Sequence, residues 1–235
     1  MKTSGIVGCK IGWLLISFDE DGALYKTLQT ADELSAAFTE YDRIFIDMPI
    51  GLEDENLDRE CDLLMRKSVG ADYAAKVLTP PIRPALDAPS YVEANMISFD
   101  YTEVQLSLET WNIVPKIQMV DGLLQSNPDF REKVLESHPE FLLQKLNGGV
   151  IFQKSNLKRG VRHRLELVRD QEAIADDFFR DIKEDYRRSE IAEAAIVDAM
   201  ALALFAKRSA TKGLKTMPKE PTLDSKGLKK AYHYV

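Results

Sequence analysis

The run Ile44-Phe45-Ile46 ends in Asp47 and is shut off at once by Met48-Pro49-Ile50-Gly51. An apolar strand that sets a lone carboxylate at its C-terminal end, where the chain turns out of a sheet, is how α/β proteins present a metal ligand or a general base. Asp before a proline-containing turn also caps backbone amides, so Asp47 carries both readings.

The flanking pattern supplies the rest of a sheet. Gly5-Ile6-Val7, Trp13 to Ser17 and Ala23-Leu24-Tyr25, with Asp21-Gly22 as a turn signal, read as a bent first strand and a hairpin. Thr30 and Glu33 form a capping box for a helix carrying Leu34, Ala37 and Phe38, which leads into the Asp47 strand. A strand, helix, strand crossover makes that strand parallel to an earlier one.

A helical pattern over Leu57 to Val69 ends at Gly70, and Thr79-Pro80-Pro81-Ile82-Arg83-Pro84 forces an extended loop. Ser90 with Glu93 offers a second capping box, and Trp111 to Gln125 is helix-like on both sides of Pro115. The segment from about 57 to 125 reads as a helical insertion in a single domain of 235 residues. Val134 to Ser137 then reads as a strand, and His138-Pro139-Glu140 turns it into a helix that stops at Asn147-Gly148-Gly149. Glu136 and Glu140 flank that turn, and strand alternation cannot choose between them because Pro139 ends the strand.

The late helix, from about Glu190 to Lys207, carries Ile191, Ala195, Asp198, Leu202 and Phe205 at spacings of four and three, so they share one face. Asp198 is expected to point toward the core side, where a carboxylate needs a hydrogen bond, an ion pair or a metal. Lys207 through Lys219, broken by Gly213 and Pro218, reads as a connector.

Charge narrows the function. A formal net charge of −7 disfavours a protein that holds nucleic acid by bulk electrostatics. The stretch Lys154 to Arg164 is nevertheless densely positive, and Lys158, Arg159 and Arg162 are candidates for a phosphate-contacting surface or for a solvated helix start. Cys9 and Cys61 are the only cysteines, which fits two thiols in a reducing compartment. No signal-peptide pattern opens the chain, and the apolar stretch Ala194 to Ala206, interrupted by Asp198, is too short to span a bilayer. A cytoplasmic protein with no membrane association is expected; its oligomeric state is not legible.

Taken together, Gly8-Cys9-Lys10-Ile11-Gly12-Trp13, Ile46 to Leu52, Arg59-Glu60-Cys61-Asp62, Pro81 to Leu86, Trp111 to Ile117, Glu136 to Glu140, Leu146 to Gly149 and Val197-Asp198-Ala199 resemble the DUF429 family of predicted RNase H-like nucleases. The resemblance implies an α/β fold of the ribonuclease H type: a central mixed sheet flanked by helices, with acidic residues gathered at one end. It also implies a hydrolase acting on nucleic-acid phosphodiesters. In that chemistry two Mg²⁺ or Mn²⁺ ions about 3.5–4 Å apart activate water and stabilise the leaving oxygen, and carboxylates suit them because these hard cations take oxygen ligands. Carried onto this chain, Asp47, Glu140 and Asp198 become metal ligands, with Glu136 the alternative catalytic acid. Arg83, Lys116 and His138 join the basic residues as substrate contacts.

The chain departs from that pattern where it matters most. Val7 stands where family members carry aspartate on the first strand, and Ala194 and Ala195 stand where acids precede the Asp-Ala pair. Glu193 lies about 140° round the helix from Asp198 and is no substitute. Two readings therefore stay open: a metal-dependent hydrolase with a reduced site, and a catalytically inactive module that binds nucleic acid, a nucleotide or a protein partner.

Overall fold

The computed structural model describes residues 1–19 and 22–235; the turn signal at Asp21 lies outside them. In chain order the elements are β1 (Thr3–Cys9), β2 (Gly12–Ser17), β3 (Leu24–Leu28), α1 (Ala31–Glu40), β4 (Arg43–Asp47), α2 (Glu60–Val69), α3 (Arg83–Leu86), α4 (Tyr91–Thr102) and α5 (Leu108–Ser126). After these come α6 (Pro128–Lys133), β5 (Val134–Glu136), α7 (Pro139–Asn147), α8 (Lys158–Arg169), α9 (Ala175–Asp185) and α10 (Glu193–Lys212), with two short strands, β6 (Lys215–Met217) and β7 (Tyr232–Tyr234), near the C-terminus. The chain divides into two compact units, the first formed by 1–47, 132–215 and 233–235, the second by 48–131 and 216–232.

The first unit is an α/β layer built on a five-stranded mixed sheet in the order β3-β2-β1-β4-β5. β1, β2 and β3 form an antiparallel meander, while β4 runs parallel to β1 and to β5. The crossover that makes β4 parallel passes through α1, whose capping box is formed in full: Thr30 Oγ1 accepts from the Glu33 amide, and Glu33 returns to the Thr30 amide. Each interaction satisfies a helix-terminal donor that would otherwise lack a partner.

The helix α10 lies across β1, β2 and β4. Its approach to β1 depends on Gly5, where an added Cβ would come within 2.2 Å of the Ala203 amide and 2.5 Å of the Ala199 carbonyl. Any larger residue would push the helix off the sheet.

The helix differs from its expected form at both ends. It starts at Glu193, so Ile191 precedes it, and it runs on to Lys212 rather than ending near Lys207. Burial of Ser209 and an ion pair from Lys207 to Glu172 at 2.6 Å keep the last turns in place. The apolar face holds at Leu202 and Phe205 but opens toward the N-terminus, so Ala195 and Asp198 are only half-buried. Asp198 therefore sits at the margin of the packed layer rather than inside it.

The second unit is mainly helical. A buried ion network ties its loops together. Arg59 donates to Asp62 from Nε at 2.8 Å and from Nη2 at 2.6 Å, and it also donates to the carbonyls of Ile50 and Gly51. Tyr232 donates to the same Asp62 at 2.8 Å. The Arg59 to Asp62 motif thus has a structural use that satisfies both buried charges.

Candidate nucleic-acid interface

The proposed ligands at the end of the sheet do not assemble into a carboxylate cluster. Asp47 closes β4 and is half-buried; its register partner on β1 is Val7, which is buried. A valine directly across from the carboxylate removes the donor that would share a cation with it. Glu136 closes β5 opposite Ile46 and is buried, and the next residue, Ser137, continues the ladder by donating its amide to the Ile46 carbonyl at 2.9 Å. Asp19 is held at the far end of β1, where it accepts from the Thr3 amide and hydroxyl. Glu193 pairs with Lys183 at 2.9 Å.

Glu140 is engaged in another way. It follows Pro139 in the first turn of α7, a position that favours a negative charge. Its carboxylate accepts from Arg164 Nη2 at 2.7 Å and from Nε at 3.3 Å, and both side chains are almost wholly buried. A buried carboxylate held at both oxygens by a guanidinium is a structural ion pair. Among the described residues no group of three or more His, Cys, Asp or Glu side chains is placed to hold a metal ion. The donor set of this chain does not fit the two-metal centre that the resemblance implies.

Arg164 does more than neutralise Glu140. Its Nη1 donates to the Gln153 carbonyl at 2.6 Å and to the Gly160 carbonyl at 3.1 Å. The loop between α7 and α8 is therefore fastened from beneath by one buried cation. Gly160 completes the fit, because a Cβ there would meet the Lys154 carbonyl oxygen at 2.0 Å. Ser155 and Ile151 turn inward, while Phe152 is 84% exposed and Lys154, Lys158, Arg159 and Arg162 are exposed along the same loop and the start of α8. Arg162 also makes an exposed pair with Glu166, of small energetic weight. From Phe141 to Leu165 the chain contains no Asp or Glu and six Lys or Arg residues.

The sequence marked this stretch as basic but did not single out its two decisive residues. Arg164 lies on the apolar face of α8 with Val161, Leu165 and Val168, and an arginine at that spacing is itself a signal of a buried partner. Phe152, an aromatic residue in an acid-free basic segment, is the pattern of a stacking platform.

The other candidates are placed elsewhere. Arg83, in the second unit, donates to both oxygens of Asp121 at 3.0 Å and closely contacts Asp224. That pairing outweighs its burial and raises the pKa of its guanidinium. Burial of Asp224 alone would push its carboxyl up; the amides of Leu228 and Leu52 together with Arg83 outweigh this and hold it below the usual carboxylate range. Arg83 is thereby an internal brace. Lys116 is half-buried on α5. His138 is buried at the N-cap of α7, where its carbonyl accepts from the Leu142 amide.

A family model described as a protein of unknown function, DUF429, matches residues 5–223. The chain belongs to the DUF429 family. No curated protein and no solved structure matches it. The strand order of the first unit is consistent with the ribonuclease H type of fold, as the family resemblance implies. Among the described residues no helix is long and apolar enough to cross a membrane.

Proposed function

We propose that this DUF429 chain is a nucleic-acid-binding module that holds single strands without cutting them. The observation that carries the proposal is Phe152, 84% exposed among Lys154, Lys158, Arg159 and Arg162, on a loop fixed by the buried Glu140–Arg164 pair. Cations on an ordered backbone neutralise phosphates, and a projecting aromatic ring stacks on an unpaired base. A duplex hides its base faces, so this combination favours single strands. The overall charge of −7 does not oppose the reading, because screening confines surface electrostatics to about 8 Å at physiological ionic strength and residues 141–165 carry no Asp or Glu, although Glu166 just beyond them pairs with Arg162.

Cleavage is left out of the proposal for chemical reasons. Val7 faces Asp47, Ala194 and Ala195 carry no donors, and Glu140 is committed to Arg164. The test is to incubate end-labelled single-stranded DNA and RNA with the protein and Mn²⁺, following polarisation and strand length in the same samples. Bound, intact strands at low salt, released as salt rises, are the expected result. Strands shortened by the parent protein but left intact by Asp47→Asn would overturn it in favour of a hydrolase.

A further inference from the structure

The second unit carries a surface of the opposite character. From Pro84 to Pro115 the chain contains no Lys, Arg or His and five acidic residues: Asp87, Glu93, Asp100, Glu103 and Glu109. Within this stretch α4 turns Ala94 and Ser98 inward and leaves Val92, Met96 and Phe99 exposed by 66%, 61% and 52%. Their spacing of four and then three sets them in one stripe along the helix, rising about 10 Å from end to end. Past the end of α4, Val104 and Leu108 continue the exposed apolar surface, and Val104 also lines a cavity of about 450 Å³ with Leu57, Val77, Leu78 and Leu106, whose wall includes Glu109 and Arg66, the latter paired with Asp58.

This surface is held in shape. Ser98 Oγ donates to the Val104 carbonyl at 2.8 Å, and the Tyr91 hydroxyl donates to the Leu106 carbonyl at 3.0 Å. Glu103 ends α4 at φ 58° and is the one non-glycine residue with positive φ among the described residues. Glycine takes that position without strain, so a glutamate there adds a carboxylate to the rim at a conformational cost.

We infer that the exposed face of α4, with the cavity beside it, is a docking site for a basic amphipathic helix of a partner protein. The stripe supplies apolar contact, with Met96 as its adaptable centre. The cavity takes an anchoring side chain of the partner, and the acidic rim selects Lys and Arg flanks while rejecting acidic ones. A second copy docking through the same face would set acid against acid. This inference rests on the second unit alone and stands or falls apart from the nucleic-acid reading.

The test uses the full chain and a synthetic leucine-lysine peptide with leucines at helical spacing. Its controls are a scrambled peptide and a leucine-glutamate analogue. Saturable binding of the lysine peptide alone is expected, weakened roughly tenfold or more by Met96→Glu or Phe99→Glu, which alter exposed positions. Glu103→Gly separates docking from folding: it is expected to raise the melting temperature and yet weaken the peptide. Equal binding of the scrambled peptide, or affinity unmoved by Met96→Glu, would overturn the inference. So would a dimer in sedimentation that Met96→Glu dissolves, since the occupant would then be a second copy.

Discussion

Two stretches of this chain mirror one another. Residues 141–165 carry base and no acid; residues 84–115 carry acid and no base. Each exposes large apolar side chains among charges of one sign, yet the two are supported differently. The basic loop hangs chiefly on one buried ion pair, Glu140–Arg164, with neutral bonds of His163 to Gln153 and of Asn147 to His163 and to the Gly149 and Val150 carbonyls nearer the surface. The acidic surface is held by many neutral bonds: the cap at Ser90, the cap at Ser107, and the hydroxyls of Ser98, Thr102 and Tyr91. A buried pair fails all at once when one partner goes, because the other is left as a bare buried charge, whereas a set of hydroxyl bonds fails in small steps.

Arg164→Met breaks the comparison hardest. It should cost about 3–5 kcal/mol in urea denaturation and free the 153–160 loop to exchange its amides. Glu140→Gln should cost less, since an amide oxygen still accepts from Arg164. If both cost under about 1 kcal/mol, the pair is not what fastens the loop.

Phe152→Ala should be silent in the same denaturation, within about 0.5 kcal/mol. It should nevertheless weaken single-strand binding by about 1–3 kcal/mol, the worth of one base stacked on an aromatic ring. Lys158→Ala with Arg159→Ala should also flatten the salt dependence, by roughly 0.7 in log–log slope for each phosphate contact removed. An unchanged slope would show that these cations do not meet phosphate.

Acid should weaken the second unit through Asp224. Asp224 has a folded pKa below its ordinary value, so the stability it contributes to the second unit is complete above about pH 4 and is lost as pH falls through the folded pKa. Melting curves taken downward from about pH 6 should fall more steeply for the parent than for Asp224→Asn. Parallel curves would remove Asp224 from the acid response. The smallest effect belongs to Ser98→Ala, about 1 kcal/mol for one hydroxyl bond to the Val104 carbonyl.

Local signals explain why much of the fold was legible in the sequence. The strand ending at Asp47, the box at Thr30 and the glycine stop of α7 are each written in a few adjacent residues and form as read, while the box at Ser90 forms only its N-cap half, with Ser90 Oγ accepting from the Glu93 amide. The reach of α10 beyond Lys207 is not written in adjacent residues, because it depends on tertiary packing that buries Ser209 and brings Lys207 to Glu172, a partner distant in sequence. The site was harder for the same reason. Whether Glu140 faces solvent, a metal or a guanidinium is decided by how α8 packs on α7, and only the apolar spacing around Arg164 hints at the answer. Arg83 reads as a substrate contact in an extended proline-rich loop, yet it opens the helix α3, and Asp121 and Asp224 arrive from distant segments to enclose it.

The most direct test of the central claim is fluorescence anisotropy of a labelled single-stranded oligonucleotide against three proteins: the parent, a variant with Phe152→Ala, Lys158→Ala and Arg159→Ala, and a variant with Asp47→Asn and Asp198→Asn. Binding lost in the first variant and kept in the second is the result expected of a strand held by the basic loop. Binding kept in the first and lost in the second would place the ligand at the carboxylates of the sheet end and contradict the account.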